Sequence, residues 1–116
     1  MPSPVKPLVD AAVLNSIDIR VGTIEKVEDV VGSSKLLRLT VDFGDHQRTI
    51  LAGMKKERQD PQSIAGRQAL FVINLPPRKM AGEISEGMLF DLGFADGITP
   101  ALAVPEWPVP NGTRAG

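Results

Sequence analysis

Leu37, Leu39, Val41 and Phe43 alternate without a break with Arg38, Thr40 and Asp42. A period of two sends successive side chains to opposite faces, so this segment reads as a strand with one face buried. Gly44-Asp45 then gives a turn signal, and Arg48 to Ala52 returns as the hairpin partner.

The same reading extends in both directions. Ile17, Ile19 and Val21 alternate with Asp18 and Arg20, Gly22 interrupts, and Ile24 and Val27 resume. The internal glycine predicts a bend or bulge at residue 22. Gly53 to Asp60 is a charged connector, and Asp60-Pro61-Gln62-Ser63 predicts a short helical turn with a capping Asp and a proline at its first position. Gly66 closes that turn, and a strand is expected at 67–73.

Residues 70–90 read LFVINLPPRKMAGEISEGMLF. The apolar run stops at Asn74, and Pro76-Pro77 forbids a helix or a central strand. Arg78, Lys79 and the permissive Gly82 follow, giving a rigid cationic loop before a strand at 87–92. Ala95-Asp96-Gly97 marks a turn, Ile98 to Val104 a last strand, and Pro105, Pro108 and Pro110 surround Trp107. At the other end Pro2, Ser3 and Pro4 predict a loose terminus over 1–6, and Leu8 to Leu14 a helix too short to be stable unless it docks.

These signals predict an all-β protein, a five-stranded OB-fold barrel with a short helical turn between strands 3 and 4, an N-terminal helix and a C-terminal extension. A β-sandwich is the competing architecture. Residues 1–16 form an arm and 17–116 the domain. A chain of 116 residues with 42% hydrophobic content can bury a real core.

Composition excludes several classes of function. There is no cysteine and one histidine, His46, so neither disulfides nor a zinc site of the usual kind is expected. No metal or cofactor is implied. No apolar stretch approaches the roughly 20 residues of a membrane span, and no signal peptide is read, so a cytoplasmic protein is expected. Neither a phosphate loop nor a nucleophile elbow is present, and His46 beside Asp45 reads as an exposed turn residue, so no catalysis is expected. The net charge of -1 argues against a protein coated in positive potential, leaving only local patches to hold a polyanion.

Several motifs, in order, carry a family resemblance. Asp18-Ile19-Arg20-Val21-Gly22-Thr23-Ile24, Lys35-Leu36, Asn74-Leu75, Lys79, Gly82, Ser85 and Gly87-Met88 resemble the tRNA-binding domain family. That family includes the C-terminal domain of bacterial methionyl-tRNA synthetase, endothelial-monocyte-activating polypeptide and small free-standing dimers. Asp42-Phe43-Gly44, Pro76-Pro77-Arg78, Ala81-Gly82, Ser85-Glu86 and Pro108-Val109-Pro110-Asn111-Gly112 resemble its CsaA-type secretion chaperones. The chain departs from the chaperones at Lys79 and at Gly87-Met88.

The resemblance implies tRNA as partner, held by Lys35, Asn74, Arg78, Lys79, Ser85 and Met88. The cations would meet phosphates, Asn74 and Ser85 would hydrogen-bond exposed groups, and Met88 would offer a base an apolar shelf. The plain alternatives are solvated lysines, Asn and Ser bonded to local backbone, and a methionine filling a core gap. The resemblance also implies a homodimer, with Ile19, Trp107, Val109 and Pro110 as contacts, whereas Trp107 could instead cover the barrel's end. Binding of unfolded polypeptides is the second reading, and a protein-docking module the third.

Overall fold

The computed structural model describes residues 2–116; Met1, part of the expected loose terminus, lies outside them. Five antiparallel strands form one curled sheet in the order β3-β2-β1-β4-β7: β1 (Ile19–Asp29), β2 (Leu37–Asp42), β3 (Gln47–Ala52), β4 (Gln68–Val72) and β7 (Met88–Leu89). This is the barrel of OB type, not the sandwich. Two small ribbons stand outside it, β5 (Arg78–Met80) with β6 (Glu83–Ser85), and β8 (Asp91–Leu92) with β9 (Ala101–Leu102).

The alternation at 37–42 sets the core. Leu37, Leu39 and Val41 point inward while their neighbours are half-buried. They meet Ile24, Ile50, Phe43 and Phe71, and the two phenylalanine rings pack edge to face with centroids 5.5 Å apart. Fully burying each such side chain stabilises the fold by about 1.5–3 kcal/mol. The helical turn Pro61–Ile64 lies between β3 and β4 as expected, and buried Ile64 caps the barrel. Asp60 accepts from the Gln62 N–H at 3.1 Å, and Pro61 occupies the first position, where no N–H is needed.

β1 serves two partners. Ile19 to Thr23 pair with β4, and Thr23 to Asp29 pair with β2. The register shifts between Ile24 and Lys26, not at Gly22. Gly22 pairs regularly with Ala69, and a Cβ there would lie 2.5 Å from Val41 Cγ1 and 2.8 Å from the Phe43 ring. This glycine is a packing requirement rather than a hinge. The irregularity falls where the chain at Gly66 approaches β1, its N–H bonding the Ile24 carbonyl at 2.6 Å.

Opposite β4, the first half of β1 is covered by the C-terminal segment. Val21 donates to the Thr113 carbonyl at 2.9 Å, Gly112 to Val21 at 2.8 Å and Ala115 to Ile19 at 2.9 Å. Thr23, Gln68 and Asn111 tie side chains across the same contact.

The strands expected at 87–92 and 98–104 are shorter than the sequence suggests. The first breaks at Phe90 into β7 and β8, and the second keeps only Ala101–Leu102, which follows Pro100 and precedes Pro105. The N-terminal helix α1 (Ala11–Asn15) starts later than expected and buries none of its residues.

Candidate nucleic-acid interface

The segment expected as a loop is a tight hairpin. Ala81 (φ 49°) and Gly82 (φ 81°) both take positive φ, the signature of a type I′ turn that joins β5 to β6 with the right twist. Arg78 pairs with Ser85, Lys79 with Ile84, and Met80 with Glu83. The preceding Pro76 and Pro77 are exposed, as are Arg78 and Lys79.

Side chains anchor the hairpin at its acidic strand. One Arg38 nitrogen donates to both Glu83 oxygens at 2.8 Å, and this bond with Glu83 raises the Arg38 pKa above its usual value. The Glu86 carboxylate accepts from Thr49 N–H at 3.0 Å, and Glu86 N–H donates to the Thr49 carbonyl at 2.8 Å. The Arg48 guanidinium spans the remaining gap, donating to the carbonyls of Ile73 (2.7 Å) and Glu86 (3.0 Å). These contacts sew β3 to the β6–β7 connection, between the two edge strands of the curled sheet. They also occupy both acids of the segment, whereas Arg78 and Lys79 form no ion pair among the described residues.

His46 belongs to the same seam and is half-buried rather than exposed, stacked on Phe43 at 5.6 Å between centroids. Arg48 Nε can only donate, so His46 Nε2 accepts it at 2.9 Å and Nδ1–H faces Asp45 at 2.6 Å. That hydrogen bond holds the Asp45 carboxyl below its usual pKa.

The six expected RNA residues occupy three kinds of position. Arg78 and Met88 line one groove of about 520 Å³, together with Met80, Arg58, Phe94 and Glu57. Met88 is 45% exposed, so it does not fill a gap in the core. Lys79 lies between Arg78 and Met80, and strand alternation puts it on the other face of β5. Lys35 is exposed, and its carbonyl accepts from Lys55 N–H at 3.1 Å, beside the turn Lys55–Glu57 that leads into the groove.

Asn74 and Ser85 are largely committed to intramolecular hydrogen bonds, Asn74 at the surface and Ser85 in the interior. Asn74 accepts from Asp18 N–H and donates to the Ser16 carbonyl, both at 2.8 Å, clamping the entry to β1. Ser85 is 3% exposed, accepts from Leu51 N–H at 3.0 Å and donates to the Gly87 carbonyl at 2.9 Å. Their partners lie 56 and 34 residues away, too far to be visible locally. Arg58, Glu57 and Phe94, which the sequence reading passed over, reach the groove from two other connections.

Among the expected dimer residues, Trp107 is 64% exposed beside Arg67 and Glu106, and does not cover the barrel's end. Ile19 is half-buried in a separate hollow shared with Leu14 and Arg114. The Val109 backbone is held by Gln68 at 2.6 and 3.1 Å, and Pro110 is exposed.

Comparison with known proteins agrees with this geometry. A family model described as "Putative tRNA binding domain" matches residues 19–114. The crystal structure of a MetRS-related protein from Pyrococcus horikoshii is similar at 33% identity and TM-score 0.87, covering 96% of this chain and 100% of that one. Chaperone CsaA from Bacillus anthracis is similar at 27% identity and TM-score 0.80, covering 95% and 100%. CsaA from Picrophilus torridus, at 24% identity and TM-score 0.82 over 94% and 100%, shares the fold. The chain, with its curled five-stranded sheet and outward cationic hairpin, belongs to the tRNA-binding domain family.

Proposed function

We propose that this protein is a non-catalytic homodimeric tRNA binder that reads the shape of folded RNA with the β5–β6 hairpin. One observation carries the reading: Arg78 and Lys79 stand exposed without ion pairs among the described residues, while Glu83 and Glu86 are tied back to β2 and β3. A chain of net charge -1 thereby keeps a local positive edge at Arg78 and Lys79, outside the groove that Glu57 and Asp91 line. Two copies, meeting through Ile19 of β1 and Trp107, Val109 and Pro110 of the C-terminal segment, would present two such edges at fixed separation and gain avidity. The matched family and the MetRS-related neighbour support RNA as the partner.

Filter retention of tRNA across a salt series tests this. Reversing both charges, Arg78→Glu with Lys79→Glu, is expected to weaken binding about 100-fold at low salt and to flatten the log–log salt slope by about 1.4–1.8. No measurable binding by the unaltered protein at low salt would reject the reading.

A second reading is a holder of unfolded polypeptides. It is favoured by the exposed apolar residues Leu8 (97%), Val9 (70%) and Leu14 (60%), and by the chaperone neighbours. Suppression of a model substrate's aggregation at stoichiometric ratio checks it, and no suppression counts against it.

A further inference from the structure

The groove behind the hairpin is more chemically differentiated than phosphate binding requires. Met80, Met88 and Phe94 supply polarizable and aromatic surface, and Phe94 is 68% exposed. Arg58 lines the groove, and its Nε is buried with no hydrogen-bond partner among the described residues. A guanidinium can only donate, so Arg58 at the groove wall favours a ligand that brings an acceptor. Two carboxylates, Glu57 and Asp91, share the same walls. Burial, and then the charge of Asp91, hold the Glu57 carboxyl above its usual pKa, so the site also favours a ligand that brings N–H donors.

We propose that this groove is a pocket for one unstacked guanine base, stacked on the methionines and Phe94 and hydrogen-bonded by Glu57 and Arg58. The proposal rests on the RNA-binding reading and names what the cationic hairpin delivers to its neighbour. Guanine alone carries two adjacent donors, N1–H and N2–H, on its Watson–Crick edge, matching a carboxylate's two oxygens. Adenine and cytosine put a ring acceptor beside their amino group, and uracil flanks its single N–H with carbonyls, so each repels one carboxylate oxygen. Guanine's O6 and N7 are also the acceptors that arginine most commonly reads. A phosphate inside the groove would meet Glu57 and Asp91, and a cationic peptide would meet Arg58 and Arg78, so charge complementarity disfavours both. The volume of about 520 Å³ falls within the usual range for small-ligand sites. Arg78, at the junction of hairpin and groove, would hold the phosphate of the nucleotide whose base enters.

The test uses the full chain and fluorescent pentauridine, alongside pentamers whose central residue is replaced by G, A or C, read by anisotropy at low salt. The G-centred pentamer is expected to bind about tenfold tighter than the other three. Glu57→Gln is expected to abolish that preference, and Met88→Ala to weaken all four. The preference should also fade as pH falls and Glu57 takes up a proton. Equal affinity for all four pentamers overturns the proposal, as does a guanine preference that survives both Glu57→Gln and Asp91→Asn. If tRNA binding still depends on Arg78 and Lys79 while the pentamers are not distinguished, only the pocket fails. If tRNA is not bound at all, the RNA reading itself has failed. Protection of Met80 and Met88 from oxidation by an unfolded polypeptide, but not by the G-centred pentamer, would assign the groove to peptide and overturn the proposal.

Discussion

Two proline-anchored segments, 76–86 and 105–115, look alike on paper but behave differently in the fold. Each combines prolines, a turn glycine and polar residues. The first stands off the barrel, held through the side chains of Arg38, Ser85 and Glu86. The second lies against β1 and is held by backbone hydrogen bonds from Val21, Gly112 and Ala115. A proline says where a helix or central strand cannot continue, but not which groups remain free afterwards. In the hairpin the committed groups are the acids and the free ones the cations, which leaves a surface able to bind. In the tail the polar groups are largely committed, and Trp107 remains as an exposed apolar feature.

Four substitutions would break or sharpen this contrast. Gly112→Ala should act most strongly. Gly112 has φ 91°, and a Cβ would press on the Phe43 carbonyl, so about 3 kcal/mol of stability should be lost in urea denaturation while tRNA binding per folded molecule persists. Ser85→Ala is next. It leaves the Leu51 N–H buried without its partner, which should cost about 2 kcal/mol and loosen the hairpin, seen as faster amide exchange at Leu51. Ala81→Asn should move the other way. Asparagine tolerates the left-handed region better than alanine, so a gain of about 1 kcal/mol is expected in thermal unfolding.

The smallest effect concerns acid. The Arg20 hydrogen bonds hold the Asp18 carboxyl below its usual pKa. A depressed folded-state pKa adds stability that is present above the unfolded value, near pH 4, and is lost as pH falls through the folded value. Asp18→Asn should therefore lower stability slightly above about pH 4, leave it nearly unchanged in strong acid, and so flatten the acid limb of the stability profile.

Much of the barrel could be read in advance because its signals are local. The alternation from Leu37 becomes β2, and Asp60-Pro61 becomes the turn between β3 and β4. Gly22 was misleading because a glycine looks the same whether it frees a dihedral angle or clears space, and only the facing Val41 and Phe43 distinguish the two. The cations of the hairpin were legible, since Arg78 and Lys79 are adjacent in the chain. The distant partners of Asn74 and Ser85 were not, because they come from the entry to β1 and from β3. The groove was hidden for the same reason, as Arg58, Met80, Met88 and Phe94 come from four separate segments.

The covering of β1 by the C-terminal segment has a consequence for biosynthesis. A nascent chain that has left the ribosome only as far as Leu102 can already pair β1 with β2 and β4, yet Ile19 and Val21 still point bare amides and carbonyls outward. That rim is a template for another polypeptide's strand until Gly112 to Ala115 arrive to seal it. Slowing translation between those two points should therefore lengthen the interval in which the half-finished protein is vulnerable to clumping on polysomes.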